Sequence, residues 1–217
     1  MKKFELIVGL IAILGILLQI RNIPGSSALS GLALMILTMF YYVFSFALFN
    51  GIRLRNIFKK VSYKDTNAKR IIGAIGFGWC ISSIILGGLY KLQLWTGADM
   101  YLRTGLGAIG LILLITTIFY FRNRAEYYKR IFKKIVTYGG LGLILYLIPP
   151  TTFLDIYYGN NHNYTEHHDF EEHYKRVLAE PYNLELRKQL EQMRIELEQM
   201  KFEKWLQERN EENNGNK

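Results

Sequence analysis

The sequence predicts an all-α polytopic membrane protein: two repeated transmembrane helical hairpins, a fifth span and a helical extramembrane tail. Three observations carry this. Apolar runs of membrane length recur up to Pro150, and a bilayer core of roughly 30 Å needs about 20 such residues in a helix. The charge is divided: residues 1–150 hold 18 Lys and Arg against 4 Asp and Glu, the remainder 9 against 14, so a strongly basic part precedes an acidic one within the net +9 of the 217-residue chain. Short motifs also recur at a fixed offset. These features exclude a soluble globular domain and a wholly disordered chain. They argue against nucleic acid as a partner, because the positive charge lies between apolar segments and not on one soluble face.

Taken in order, the spans are expected at about residues 4–20, 28–49, 71–94, 106–121 and 135–154. The first has a basic start like a signal peptide. Its exit, Gln19-Ile20-Arg21-Asn22-Ile23-Pro24, lacks a small-x-small cleavage site, so a retained span is expected. The fifth carries Pro149 and Pro150 near its end, and these should stop or bend it. Its alternative is a re-entrant or interfacial segment. Lys and Arg crowd the N-terminus and the loops at 50–70 and 122–134, which places the N-terminus in the cytoplasm. Five crossings put the tail outside, in the periplasm; four put it inside. Tyr41, Tyr42, Trp95, Tyr101, Tyr120, Tyr127, Tyr128, Tyr157 and Tyr158 near span ends suit an interfacial aromatic belt.

The chain divides as a first hairpin and basic loop (1–70), a second hairpin and basic loop (71–134), the fifth span (135–154) and the tail (155–217). The hairpins read as a duplication. Gly15-Ile-Leu-Leu-Gln19 and Ile23-Pro24-Gly25-Ser26 align with Gly87-Gly-Leu-Tyr-Lys91 and Trp95-Thr96-Gly97-Ala98, all 72 residues later without a gap. Ile57-Phe58-Lys59-Lys60 recurs at Ile131-Phe132-Lys133-Lys134. Gly25 and Gly97 are the expected turn residues, because a tight turn between antiparallel helices favours positive φ. Both hairpins start on the same side, so the repeat is parallel, an arrangement some transporters use.

The segment Gly87-Gly-Leu-Tyr-Lys-Leu-Gln-Leu-Trp-Thr-Gly-Ala98 resembles a hairpin signature of Bacteroidota membrane proteins. In it a span ends in Gly-x-Leu-Phe-Lys and turns through Trp-Pro-Gly-Ala. It is seen in the transmembrane subunit of the gliding-motility and type-nine-secretion motor and in uncharacterised multi-span relatives. The resemblance covers about a dozen residues and implies an inner-membrane protein, with Lys91 and Trp95 at the family's lysine and tryptophan. The chain departs from a proton-driven motor, which needs an ionisable group inside the membrane. No Asp or Glu falls within a predicted span interior, Glu5 and Asp99 lie at edges, and Gln19 stands where the first hairpin would carry Lys91. Lys91, near an outer end, can snorkel to water.

Ser45, Cys80, Ser82, Ser83, Thr116 and Thr117 lie in spans, where small and hydroxyl residues pack helices together. The functional alternative is a narrow polar path. Cys80 is the sole cysteine, so no intrachain disulfide forms.

All four histidines lie in the tail: His162, His167, His168 and His173, with Glu166, Asp169 and Glu172 among them. Imidazole and carboxylate are possible transition-metal ligands, but the spacing matches no zinc motif, so solvated histidines are the plainer reading. Asp169 is expected to cap a helix over 170–179, stopped by Pro181, and Asn183 a longer one to about Asn210. Residues 210–217 are expected to lack fixed structure. On the second helix Leu186, Leu190, Met193, Leu197 and Met200 step by four and three, a short coiled-coil stripe over 184–209 widened by Ile195, Phe202, Trp205 and Leu206. Such a face is expected to bind a second copy or a protein partner, lie on the membrane, or fold back on the tail.

No catalytic motif or cofactor fingerprint is present in the sequence. The expectation is a non-enzymatic assembly or scaffold subunit acting through its tail helix. A small transporter or channel subunit is the alternative, and a metal- or pH-sensing membrane protein the third.

Overall fold

A computed structural model describes residues 1–21, 23–64, 66–123, 126–158 and 164–215. They form helices, with no strand among the described residues. The order is α1 (Lys2–Ile20), α2 (Ser26–Phe49), two 3₁₀ turns (Leu54–Asn56 and Lys60–Tyr63), α3 (Ala68–Leu92), α4 (Ala98–Asn123), α5 (Glu126–Lys134), a π-helical segment (Ile135–Gly139), α6 (Gly140–Leu147), α7 (Pro150–Tyr158), α8 (Tyr164–Ala179) and α9 (Leu184–Gly215). Helices α1 to α4 are each long and apolar enough to cross a membrane, and a fifth crossing counts if the broken pair Tyr127–Leu147 and Pro150–Tyr157 is one span. By its contacts the chain forms two units, Met1–Ala12 with Gly31–Ile148, and Ile13–Ser30 with Pro149–Lys217.

The first unit is centred on α3. Its Phe77 and Ile81 have no exposed surface and pack with Leu37 and Tyr41 of α2, Leu102 and Ile109 of α4, and Ile131 and Ile135. The outward faces are also apolar. Leu6, Leu10, Leu32, Leu111, Leu114 and Ile118 are more than half exposed, a surface suited to lipid and costly in water.

Two predicted boundaries move. Helix α4 starts at Ala98 and not near 106, because hydropathy marks where the apolar run begins while Asp99 in the first turn suits the positive end of a helix. The fifth segment also shifts. Tyr127 hydroxyl donates to the Arg70 carbonyl oxygen at 3.0 Å, near the start of α3, and Tyr146 meets Lys91 and Arg103 near its end. The helical rod Tyr127–Leu147 therefore runs parallel to α3 along nearly its whole height. It begins about two turns before the predicted 135, and it stops at Ile148, not Leu154. Ile148 is extended (ψ 125°), as expected before proline, and Pro150 opens α7 at the position where its missing N–H costs least.

In the second unit, α8 begins at Tyr164, so Asp169 lies inside the helix and does not cap it. The cap expected at Asn183 is present: its Oδ1 accepts from the Leu186 N–H at 3.3 Å. Helix α9 continues past Asn210 to Gly215, helped by the helix-favouring Glu211 and Glu212. Phe170, Tyr174 and Val177 form a buried stripe on α8, and Leu190 of α9 is buried.

Candidate functional site

Two polar centres lie along the Tyr127–Leu147 rod, one at Lys134 and Tyr138 in its first half, the other at Tyr146 near its end. The first gathers Glu5 of α1, Tyr41 of α2, and Lys134 and Tyr138 of the rod. Glu5 is in the first turn of α1, and the sequence places it at a span edge. The structure sets it deeper. Its Oε1 accepts from the Tyr41 hydroxyl at 2.6 Å. Tyr41 stands eight residues before the end of α2 at Phe49, about 12 Å at the helical rise of 1.5 Å per residue. Helix α2 thus overshoots the start of α1, and the carboxylate sits two turns inward.

The same Oε1 pairs with the Lys134 ammonium and accepts from the Tyr138 hydroxyl at 3.2 Å. Lys134 also donates to the Tyr41 hydroxyl at 2.9 Å, and its ammonium lies 5.6 and 5.2 Å from the centres of the Tyr41 and Tyr138 rings. The carboxylate side chain is 12 % exposed and the ammonium side chain 26 %. Two charges, two hydroxyls and two ring faces thus satisfy one another where apolar surroundings would make either charge alone costly. The π-helical segment follows Lys134 directly and contains Tyr138, and such one-turn bulges occur often at functional sites.

The second centre is built on Lys91, whose side chain is 1 % exposed. It does not reach water as the sequence allows. Its Nζ lies 3.5 Å from Asp99 Oδ1 and donates to the Tyr146 carbonyl oxygen at 3.4 Å. Arg103 Nε donates to the Tyr146 hydroxyl at 3.1 Å. Beside it Tyr90 packs edge-on to both Trp95 and Tyr101, with centroids 5.1 Å away in each case. Two of the span hydroxyls tie helices together: Ser82 donates to the Thr38 carbonyl oxygen at 2.9 Å and Ser83 to that of Tyr101 at 3.0 Å. Thr117 and Cys80 donate back along their own helices.

The two hairpin turns have the same local form. Gly25 (φ 82°) and Gly97 (φ 95°) are both left-handed. In the first turn Ile23 N–H donates to Leu18 and Leu29 N–H to Gly25; in the second Trp95 donates to Tyr90 and Tyr101 to Gly97, each 72 residues later. A β-carbon on Gly15 would sit 2.7 Å from the Ser30 nitrogen, and one on Gly87 would sit 2.9 Å from that of Leu102, again 72 apart.

In the tail, His162 lies outside the described residues, as does the His167 side chain. His168 is exposed, and His173 Nε2 is 3.0 Å from the Leu186 carbonyl oxygen. Among the described residues no three His, Cys, Asp or Glu side chains gather to hold a metal. Of the seam, Leu190 is buried, while Leu186, Met193, Leu197, Met200 and Trp205 are half-buried. A pocket of about 400 Å³ lies between Asp169 of α8 and Met193, Leu197 and Met200. Burial draws the Lys201 ammonium below its ordinary pKa, an effect opposed by the Glu198 carboxylate. Arg194 pairs with Glu191 at 2.5 Å, and the Arg209 guanidinium lies 4.8 Å from the Trp205 ring centre.

No protein-family model, curated protein or solved structure matches this chain. The first polar centre escapes sequence reading because Glu5 and Lys134 are 129 residues apart. The available hints are that Glu5 is the first acid in a strongly basic stretch and that Lys133-Lys134 precedes an apolar run.

Proposed function

We propose that this protein is a non-enzymatic integral membrane assembly subunit that engages a partner, or a second copy of itself, through α9. The observation that supports this is a mismatch of lengths. Helix α9 has 32 residues and α8 only 16, so α8 is too short to cover it. Ile195, Phe202 and Leu206 stay 40–49 % exposed, a surface of the kind that marks interaction sites. The paired turn geometry 72 residues apart supports a duplicated hairpin, and the turn motif supports kinship with Bacteroidota inner-membrane proteins. Five crossings, with the N-terminus cytoplasmic by its basic loops, carry the tail to the periplasm.

The test compares the mass of the purified full chain in mild detergent with that of a chain lacking residues 184–209, and with Phe202→Glu in the full chain. The full chain is expected above the mass of one copy, and both variants at one copy with the spans still inserted. Equal masses across all three overturn the proposal.

A second reading, a small ion-coupled transporter or channel subunit, draws support from the Glu5–Lys134 pair inside the helices beside the π-helical segment. It predicts that Glu5→Gln abolishes ion or solute flux in proteoliposomes while leaving the mass of the assembly unchanged. Flux equal to that of the parent rejects it.

A further inference from the structure

Beyond the rod and its two centres, the first unit contains a basic pocket of about 420 Å³ where the loop after α2 folds against α3 and α5. Its volume is within the range of roughly 300–1,000 Å³ usual for small-ligand sites. The loop is built, not merely draped. Helix α2 ends with Gly51 N–H donating to the Leu48 carbonyl oxygen and Ile52 N–H to that of Ala47, the paired bonds of a glycine-terminated helix, with Gly51 at φ 75°. Ile52 is buried, and the Tyr63 hydroxyl donates to the Ile57 carbonyl oxygen at 2.7 Å. This brings Asn56, Ser62 and Thr66 into one lining with Arg53, Arg70 and Arg130.

We infer that this pocket binds an anionic phosphate group. The three guanidinium groups come from three different segments: the loop, the first turn of α3, and α5. Each is a planar fork of fixed charge that suits phosphate and carboxylate oxygens. A carboxylate fills one such fork; the oxygens of a phosphate can meet several while also accepting from Ser62 and Thr66. No acidic side chain lines the pocket among the described residues. Arg70 is held in place, its guanidinium 5.6 Å from the Tyr127 ring centre, while the Tyr127 hydroxyl bonds to the Arg70 carbonyl oxygen. The pocket lies at the ends of α2, α3 and the rod, where apolar helices give way to the basic loop. A phosphate can reach it from an anionic lipid headgroup or from solution, and basic pockets between spanning helices are known lipid-headgroup sites.

The experiment measures thermal stability of the full chain in detergent against inorganic phosphate, and in nanodiscs as phosphatidylglycerol replaces phosphatidylcholine. Arg53→Gln is the diagnostic variant, because Arg53 is exposed and lies in the loop outside the spanning helices. Arg55→Gln with Lys59→Gln removes nearby charge outside the pocket. The parent is expected to be stabilised in at least one arm. In that arm Arg53→Gln should weaken apparent affinity about tenfold, the scale of one charge-assisted hydrogen bond, and the outside pair should change it little. A response to inorganic phosphate identifies a soluble ligand; a response only to phosphatidylglycerol identifies a headgroup. No response in either arm, or equal losses in Arg53→Gln and the outside pair, overturns the inference.

Discussion

Gly78 of α3 stands against Ser45 of α2 with no room for a β-carbon: one placed there would meet the Ser45 side chain and lie 2.7 Å from the Tyr41 carbonyl oxygen. Tyr41 is also the residue that donates to Glu5, so this backbone contact fixes the height at which α2 presents its hydroxyl. Gly78→Ala is expected to lower stability by about 1–3 kcal/mol, the usual cost of overpacking. Gly76→Ala, which meets nothing within 4 Å, should not destabilise. Ser45→Ala should be neutral or stabilising, since the Ser45 hydroxyl is buried without a hydrogen-bond partner. Thermal unfolding in detergent of the three variants checks this; equal loss for Gly76→Ala and Gly78→Ala refutes it.

The hairpin glycines divide into two kinds. Gly97 faces open space but has φ 95°, so Gly97→Ala should cost about 1–2 kcal/mol through backbone conformation alone. Gly87 is an ordinary helical residue pressed on Leu102, so Gly87→Ala should fail by clash. Leu102→Ala removes the side-chain contacts at 2.8 and 3.0 Å but leaves the Leu102 nitrogen at 2.9 Å, so it is expected to relieve part of the Gly87→Ala loss and none of the Gly97→Ala loss. A double-mutant comparison of melting temperatures separates them, and additivity of Gly87→Ala with Leu102→Ala counts against the Leu102 side chain's share of the clash.

Breaking the Glu5–Lys134 pair from one side leaves a charge among apolar helices. Glu5→Gln and Lys134→Met should each cost about 2–3 kcal/mol, below the roughly 3–5 of a fully buried pair because Lys134 keeps a quarter of its side chain exposed. The double variant should be more stable than either single one. Urea unfolding in mixed micelles reads the cycle, and strictly additive losses contradict the pairing.

At the other centre the asymmetry lies in exposure. Lys91 is buried and Asp99 is 49 % exposed, so Asp99→Asn strands an ammonium while Lys91→Met removes it. The expected order of stability places Lys91→Met at or above Asp99→Asn. The reverse order, by thermal unfolding, removes Asp99 as the counter-charge.

Much of this was legible from composition. Four long apolar helices, the glycine turns at 25 and 97, and the Asn183 cap follow from hydropathy, turn chemistry and side-chain length, all of which act over a few residues. The misplaced boundaries come from the same local logic. A hydropathy window sees Leu106 and overlooks the polar first turns that open α4, and it sees residues 135–154 while the helix that forms is Tyr127–Leu147. What remained hidden depends on depth. Glu5 looks like an edge residue until α2 is seen to overshoot α1, and Lys91 looks like a snorkelling residue until Asp99 and Tyr146 close over it. The basic pocket was visible only as a charged loop, because nothing local says that Arg53, Arg70 and Arg130 converge.

The π-helical segment sets the angular phase of the rod. Tyr138 and Lys134 must face Glu5 while Tyr146, on the far side of the bulge, must face Lys91 and Arg103. An α-helix turns about 100° per residue and the wider π turn less, so straightening Ile135–Gly139 into α-helix without changing its length would leave Lys134 in place and swing Tyr146 roughly a quarter-turn away. The bulge thus works as a phase-setting joint: the two polar centres are docked independently, and the widened turn absorbs the angle by which a regular helix would miss one of them.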